Sequence, residues 1–384
     1  MRVAVLSTCR YPNGDAEAVR VHSLAKLFVQ MGADVEVIAR GTTGYRKRLD
    51  YKGIAYMSIR REAKSKVGRA FDWLGMKHSV KACIDEYKPE VIVTEDMTPS
   101  VLHYLKKLMH KENVHIIYDC VEWYSKEQFK MGRFSLSYNL KNWVNSRWVT
   151  KDICVIAISK YLYDYYKNKG IRVIRIPVIM ENVPESITSI RENNTSKVKI
   201  LYAGSPGKKD YISTILEGMA LLQGAELERL EITIAGINEK QLIQMCGAEE
   251  NTLLRLKRNL KVLGRIERED VEELLRVSDF TIFLRSQNQR YAKAGFPTKF
   301  VESMMNGIPV ITNYTSDLKE YLVDMNNGIV INGEDKLAVK VSLERIAHLT
   351  QEELLSMKQN SLKTANDFFL PEHYTKLMWE FVEL

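Results

Sequence analysis

The chain has 384 residues, 45% of them hydrophobic and 27% charged, with a formal net charge of +8. That length predicts two or three domains, and the composition excludes a disordered, collagenous or disulfide-scaffolded chain. The charge is uneven: residues 1–175 hold 31 Lys and Arg against 18 Asp and Glu, a formal +13, whereas residues 176–384 hold 25 against 30.

The first half alternates short Val/Ile-rich runs with amphipathic stretches. Strands are predicted at 2–7, 34–39, 54–59, 91–94, 115–118 and 153–156, and helices at 16–31, 67–87, 100–111 and 136–149. Residues 176–199 hold two prolines and then a polar run without period, which reads as a linker. The second half repeats the plan, with strands at 200–202, 230–234, 260–263, 280–283, 310–312 and 329–331. Helices lie between them, and further helices are predicted at 338–349, 352–369 and 372–381. Continuous apolar strands separated by helices mean parallel sheets covered on both faces. The expected fold is α/β, with two doubly wound Rossmann-like domains facing a cleft. Expected boundaries are 1–178, a linker at 179–197, a second domain at 198–369, and a helix at 370–384 crossing back to the first domain.

No apolar run approaches the ~20 residues of a membrane-spanning helix. The opening MRVAVLSTCRYP lacks a signal peptide's apolar core. Five cysteines without a CxxC pair predict a reduced, cytoplasmic chain without structural zinc. P-loop, GxGxxG, HExxH and GxSxG motifs are absent, and no aspartates are spaced DxD, so no metal and no bound cofactor are expected. Basic clusters at 46–52, 60–69 and 103–111 read either as solvated faces or as sites for an anionic partner. Nucleic acid is not expected, because no aromatic-rich basic motif accompanies the charge.

Three segments carry candidate chemistry. Asn13-Gly14 stands just before a helix, as a plain turn or as a backbone approach to an anion. The run Gly295-Phe296-Pro297-Thr298-Lys299-Phe300 opens another helix, whose first amides can cradle a diphosphate; Glu302 on that helix can accept from a ribose diol. In Asp119-Cys-Val-Glu122-Trp123-Tyr124, which follows a strand end, the carboxylates could act as acid or base and the rings could stack a ligand. Equally, the carboxylates could cap a loop beside core aromatics. Glu95 stands at the end of another predicted strand.

The segment 294–311, AGFPTKFVESMMNGIPVI, resembles the sugar-nucleotide site of GT-B glycosyltransferases of the retaining family 4, whose pattern is E-G-F-G-x-x-x-x-E followed by G-x-P-V-I. Its first acid is Ala294 here. Residues 12–38 resemble the family's first glycine loop, helix and second strand, and LYAGSPGKKD at 201–210 its second-domain opening. The resemblance implies Gly14, Gly204, Ser205 and Lys209 at the donor, with Ser205 where the family has Arg. Arg285, Arg290, Lys293 and Lys299 are candidates for the missing phosphate contact. It further implies transfer of a hexosyl residue from a nucleotide diphosphate sugar to a saccharide or lipid-linked acceptor. The setting implied is bacterial surface-polysaccharide or capsule synthesis, peripheral at an anionic membrane surface. Asp119, Glu122 and Lys209 are then the expected catalytic residues, and Glu95, Trp123 and Tyr124 the acceptor-binding ones. A GT-B nucleotide-sugar epimerase and a non-catalytic sugar-nucleotide-binding protein are the alternatives.

Overall fold

The computed structural model describes residues 1–12, 16–40, 47–59, 66–181, 197–205 and 209–383. The chain divides into two compact units, Met1–Glu181 with Leu370–Leu384, and Asn182–Phe369.

The first unit begins with β1 (Arg2–Arg10), α1 (Ala16–Gln30) and β2 (Asp34–Arg40), then β3 (Arg48–Tyr51), β4 (Ile54–Ser58), α2 (Lys66–Tyr87) and β5 (Val91–Thr94). It continues through α3 (Pro99–Glu112), β6 (His115–Cys120), α4 (Leu136–Trp143), β7 (Cys154–Ala157), α5 (Lys160–Asn168) and β8 (Val173–Arg175). The sheet order is β3-β4-β2-β1-β5-β6-β7-β8, and only the β3–β4 pair is antiparallel. Strands with both faces covered need apolar residues throughout: Val3, Ala4, Val5 and Leu6 of β1 are each at most 2% exposed.

The sequence pattern missed β3. It forms a hairpin with β4 through Lys52 and Gly53, both at positive φ, a turn that Lys-Gly signals less clearly than Asn-Gly. α5 and β8 also lie beyond the expected set. The helix expected over 136–149 is instead α4 followed by a π-helical turn, Val144–Trp148. That wider turn accompanies the burial of Asn145, which accepts from the Tyr118 hydroxyl at 2.9 Å and donates to the Glu122 carbonyl at 3.3 Å.

The second unit contains β9 (Val198–Ala203), α6 (Ile212–Ala220), α7 (Gly224–Glu228), β10 (Leu230–Ala235), α8 (Glu239–Cys246), α9 (Glu250–Arg255) and β11 (Leu260–Gly264). α10 (Arg268–Val277), β12 (Phe280–Ile282), α11 (Arg290–Ala294), α12 (Thr298–Met305), β13 (Val310–Thr312), β14 (Gly328–Val330), α13 (Lys336–Ala347) and α14 (Gln351–Phe368) complete it. All its pairings are parallel, in the order β11-β10-β9-β12-β13-β14. This is the 3-2-1-4-5-6 order of a doubly wound sheet, whose connections change direction between β9 and β12. In the first unit the same reversal falls between β1 and β5. Loops leaving the carboxyl ends of strands at these two places frame ligand crevices.

After α14 the chain returns to the first unit with a 3-10 turn, Pro371–Tyr374, and α15 (Thr375–Val382). Met378 and Phe381 of α15 join the core that holds Val3, Leu24 and Phe28.

Candidate functional site

In the second unit, Gly204 leaves β9 at the reversal point with φ +135, and Gly236 follows β10 with φ +108. The two glycines meet through their backbones. A Cβ on Gly236 would lie 2.3 Å from the Gly204 carbonyl oxygen, and one on Gly204 would lie 2.9 Å from Cε of Lys299. Glycine at 204 thereby opens a passage for the Lys299 side chain from the first turn of α12. Lys299 Nζ lies 3.9 Å from the centre of the Tyr202 ring and 2.6 Å from Asp210 Oδ2.

Asp210 is the hub of this site. Its carboxylate accepts from Lys299, from Arg285 Nε at 2.7 Å and from the Tyr202 hydroxyl at 2.8 Å, and its side chain is 3% exposed. Burial alone would raise its pKa, but Arg285 and Lys299 overrule that and hold it well below the usual carboxylate range. Two cations on one buried anion leave one unit of positive charge. Burial, with Arg285 nearby, lowers the Lys299 ammonium from its ordinary value against the pull of Asp210. Arg285 is fixed from behind by Asn313, which accepts from its amide at 3.2 Å and donates to its carbonyl at 2.7 Å.

α12 is aimed by an aromatic core. Phe296 and Phe300 pack edge to face against Phe369, at 6.0 and 6.1 Å, and Phe296 also meets Tyr321 at 5.7 Å. Their side chains are buried packing residues. The Phe300 amide already donates to Pro297, so the first-turn amides of Thr298 and Lys299 are those left without an intrahelical acceptor. Glu302 follows Lys299 by about one turn, and burial raises its carboxyl pKa against the pull of Arg268 and Lys299. The Lys209 carbonyl accepts from the Tyr291 hydroxyl at 3.0 Å, and its ammonium stands 5.9 Å from that ring's centre. Ser205 and Lys293 are exposed, Gly295 and Thr298 are half-buried and Pro297 is buried. Gly14 lies outside the described residues.

In the first unit the expected acidic pair separates. Asp119, 1% exposed, is held in a two-point ion pair by Arg20, at 3.0 Å from Nε and 2.8 Å from Nη2; Arg20 also donates to the Pro177 carbonyl. With both oxygens engaged and its side chain 1% exposed, Asp119 ties α1 to β6. Trp123 is 7% exposed, donates to Asn142 at 2.6 Å and stands edge-on to Tyr165. Glu122 and Tyr124 are half-buried. Glu95 ends β5 at the reversal point, 6% exposed; burial and then the neighbouring Glu17 and Asp119 raise its pKa well above the carboxylate range.

Sequence reasoning missed Asp210, Tyr202 and Gly236. Asp210 directly follows Lys209, so the signal was an acid beside the expected phosphate-binding lysine. Arg20 was missed for lack of any local mark, since its partners lie 99 and 157 residues away. Among the described residues no cluster of His, Cys, Asp and Glu has metal-holding geometry.

Residues 185–364 match the model of the family "Glycosyl transferases group 1". The whole chain is similar in fold to sucrose-phosphate synthase from Thermosynechococcus elongatus, with a TM-score of 0.75, 15% identity, and 99% of this chain and 98% of that chain covered. It is also similar to WaaG, a glycosyltransferase involved in lipopolysaccharide biosynthesis, with a TM-score of 0.67, 16% identity, and 98% and 99% covered. A third likeness is to Anabaena HepE in complex with UDP-glucose, with a TM-score of 0.63, 16% identity, and 99% and 98% covered. No curated protein sequence matches the chain. The fold is therefore GT-B, with two Rossmann-like units.

The Asp210 hub sets an expected pH signature. Asp210→Asn leaves two cations facing each other over a neutral amide, and a loss of about 3–5 kcal/mol is expected at neutral pH. Because the folded-state pKa is depressed, the carboxylate's contribution is complete above its unfolded value of about 4 and is lost as pH falls below it. Melting curves should show the gap between variant and wild type narrowing below pH ~4.

Proposed function

We propose that the chain is a family 4-like retaining hexosyltransferase, using a nucleotide diphosphate sugar and a saccharide or lipid-linked acceptor in surface-polysaccharide or capsule synthesis. The observation that carries this reading is the doubly cationic site around Asp210, set beneath Gly204 at the strand reversal of the unit that matches group 1 glycosyl transferases.

In this reading Lys209 and Lys299, with the first amides of α12, neutralise the diphosphate as it leaves. Arg285 acts through Asp210, holding the hub that aims Lys299. Glu302 accepts from the ribose diol. The anomeric carbon breaks its bond to the β-phosphate oxygen and forms one to the acceptor oxygen on the same face; the departing phosphate oxygen takes the acceptor proton. Side-chain cations do the work that a divalent ion does elsewhere, so no metal is required. In the first unit Glu122 steadies the acceptor hydroxyl, Tyr124 offers a ring to a sugar, and Glu95 supplies a further hydrogen bond. The basic first unit carries the protein to the cytoplasmic face of a membrane; among the described residues, no helix is long and apolar enough to cross one.

A thermal-shift panel of nucleotide sugars tests the reading, since a ligand at a hundred times its Kd stabilises by about 2.7 kcal/mol. Absence of any response to nucleoside diphosphates or their sugars would overturn it. Glu302→Gln keeps the shape but weakens a charge-assisted hydrogen bond worth about 1.5–3 kcal/mol, so donor KM should rise about ten- to a hundredfold. Lys209→Ala should lower kcat more than it weakens ground-state binding, because leaving-group charge peaks in the transition state. Turnover should persist in EDTA; full loss, restored by Mg²⁺ or Mn²⁺, would contradict the cationic mechanism.

A further inference from the structure

Between β6 and α4 the first unit carries a short apolar projection. Met131, Phe134 and Leu136 are 68%, 71% and 79% exposed. They lie within six residues and include the two most exposed large hydrophobic side chains among the described residues. Single exposed apolar residues need no explanation; three together at one loop tip do. Exposed Lys126, Lys130 and Arg133 surround them against one exposed acid, Glu127, and the Arg133 guanidinium stands 5.0 Å from the Phe134 ring centre.

Much of this loop's backbone pairs locally. The amides of Gln128, Phe129, Gly132, Phe134 and Ser135 donate to carbonyls within the loop, at 3.0–3.2 Å. Asn139 donates to the carbonyls of Arg133 and Ser135, at 2.8 and 3.0 Å, and Ser135 caps α4. Each such pair lowers the cost of approaching an apolar medium, where an unmatched amide or carbonyl costs several kcal/mol. The tip is braced below by Phe129, edge-on to Tyr124 at 5.4 Å. Tyr124 is a proposed acceptor contact.

We propose that residues 129–136 insert into the interfacial layer of an anionic lipid membrane. Met131, Phe134 and Leu136 enter the acyl boundary, and Lys130 and Arg133 lie at the headgroups. The role given to this contact, bringing Tyr124 and Glu122 to a lipid-linked acceptor, rests on the proposed function; the contact itself does not.

The test uses the full chain and vesicles of phosphatidylglycerol and phosphatidylcholine in equal parts. Wild type should co-sediment with them at low salt. Combined Met131→Ser, Phe134→Ser and Leu136→Ser should weaken binding at least about tenfold while the thermal shift with nucleoside diphosphate stays unchanged. Lys130→Ser with Arg133→Ser should reduce binding and blunt its salt dependence. Phe134→Trp, in vesicles containing brominated phosphatidylcholine, should show more tryptophan quenching than wild type, which confirms insertion without removing apolar surface. The proposal falls if wild type ignores the vesicles, if the triple variant binds as wild type does, or if Phe134→Trp adds no quenching. It falls equally if the wild type is a dimer that the triple variant dissolves, since a second copy then covers the tip. Absent nucleotide stabilisation with intact vesicle binding would remove the transferase reading and leave the membrane contact standing.

Discussion

A buried carboxylate holding two cations is the constraint on which the second unit's site depends. Asp210 is placed by the loop after β9, Arg285 by the end of β12 and Lys299 by the start of α12. The connection after β9 and two separate points of the connection after β12 are thereby fastened to a single anion. The anion also prevents the two cations from repelling each other out of the crevice, as they would in its absence. Part of their combined charge survives the pairing and remains available to a ligand. Glycine at 204 and 236 makes the arrangement sterically feasible, because any side chain at 204 would occupy the space that Lys299 crosses.

The parallel architecture was legible in the sequence because buried strands demand unbroken apolar runs, and β5 and β13 stand where their Val/Ile runs predicted. What escaped was set by non-local or irregular backbone. β3 alternates exposed and half-buried residues at a sheet edge, so its apolar signal is weak. The helical period over 136–149 carries no mark of the π-turn, which accompanies Asn145 meeting the Tyr118 hydroxyl on another element.

The site was legible to the same degree, and for the same reason. Lys209, Lys299 and Glu302 sit in short segments whose spacing has local meaning. Asp119 shared a loop with Glu122 and read as its equal; Arg20, from α1, decides otherwise by occupying both its oxygens. A similar difference separates Trp123 from Tyr124, where Asn142 and Tyr165 claim the indole and leave the phenol half-buried. Adjacent residues of like chemistry were told apart only by partners that the chain brings from far away.

The return of residues 370–384 to the first unit has a temporal consequence. Met378 and Phe381 complete an apolar core whose other members lie at or before Ile179. On a ribosome adding about 5–20 residues per second, they follow Glu181 by roughly 10–40 s, while the whole second unit is made. During that interval the nascent first unit exposes the seat of α15 to solvent. The second unit, by contrast, is an uninterrupted stretch of chain. The first unit, begun first, therefore waits for residues made after the whole of the second.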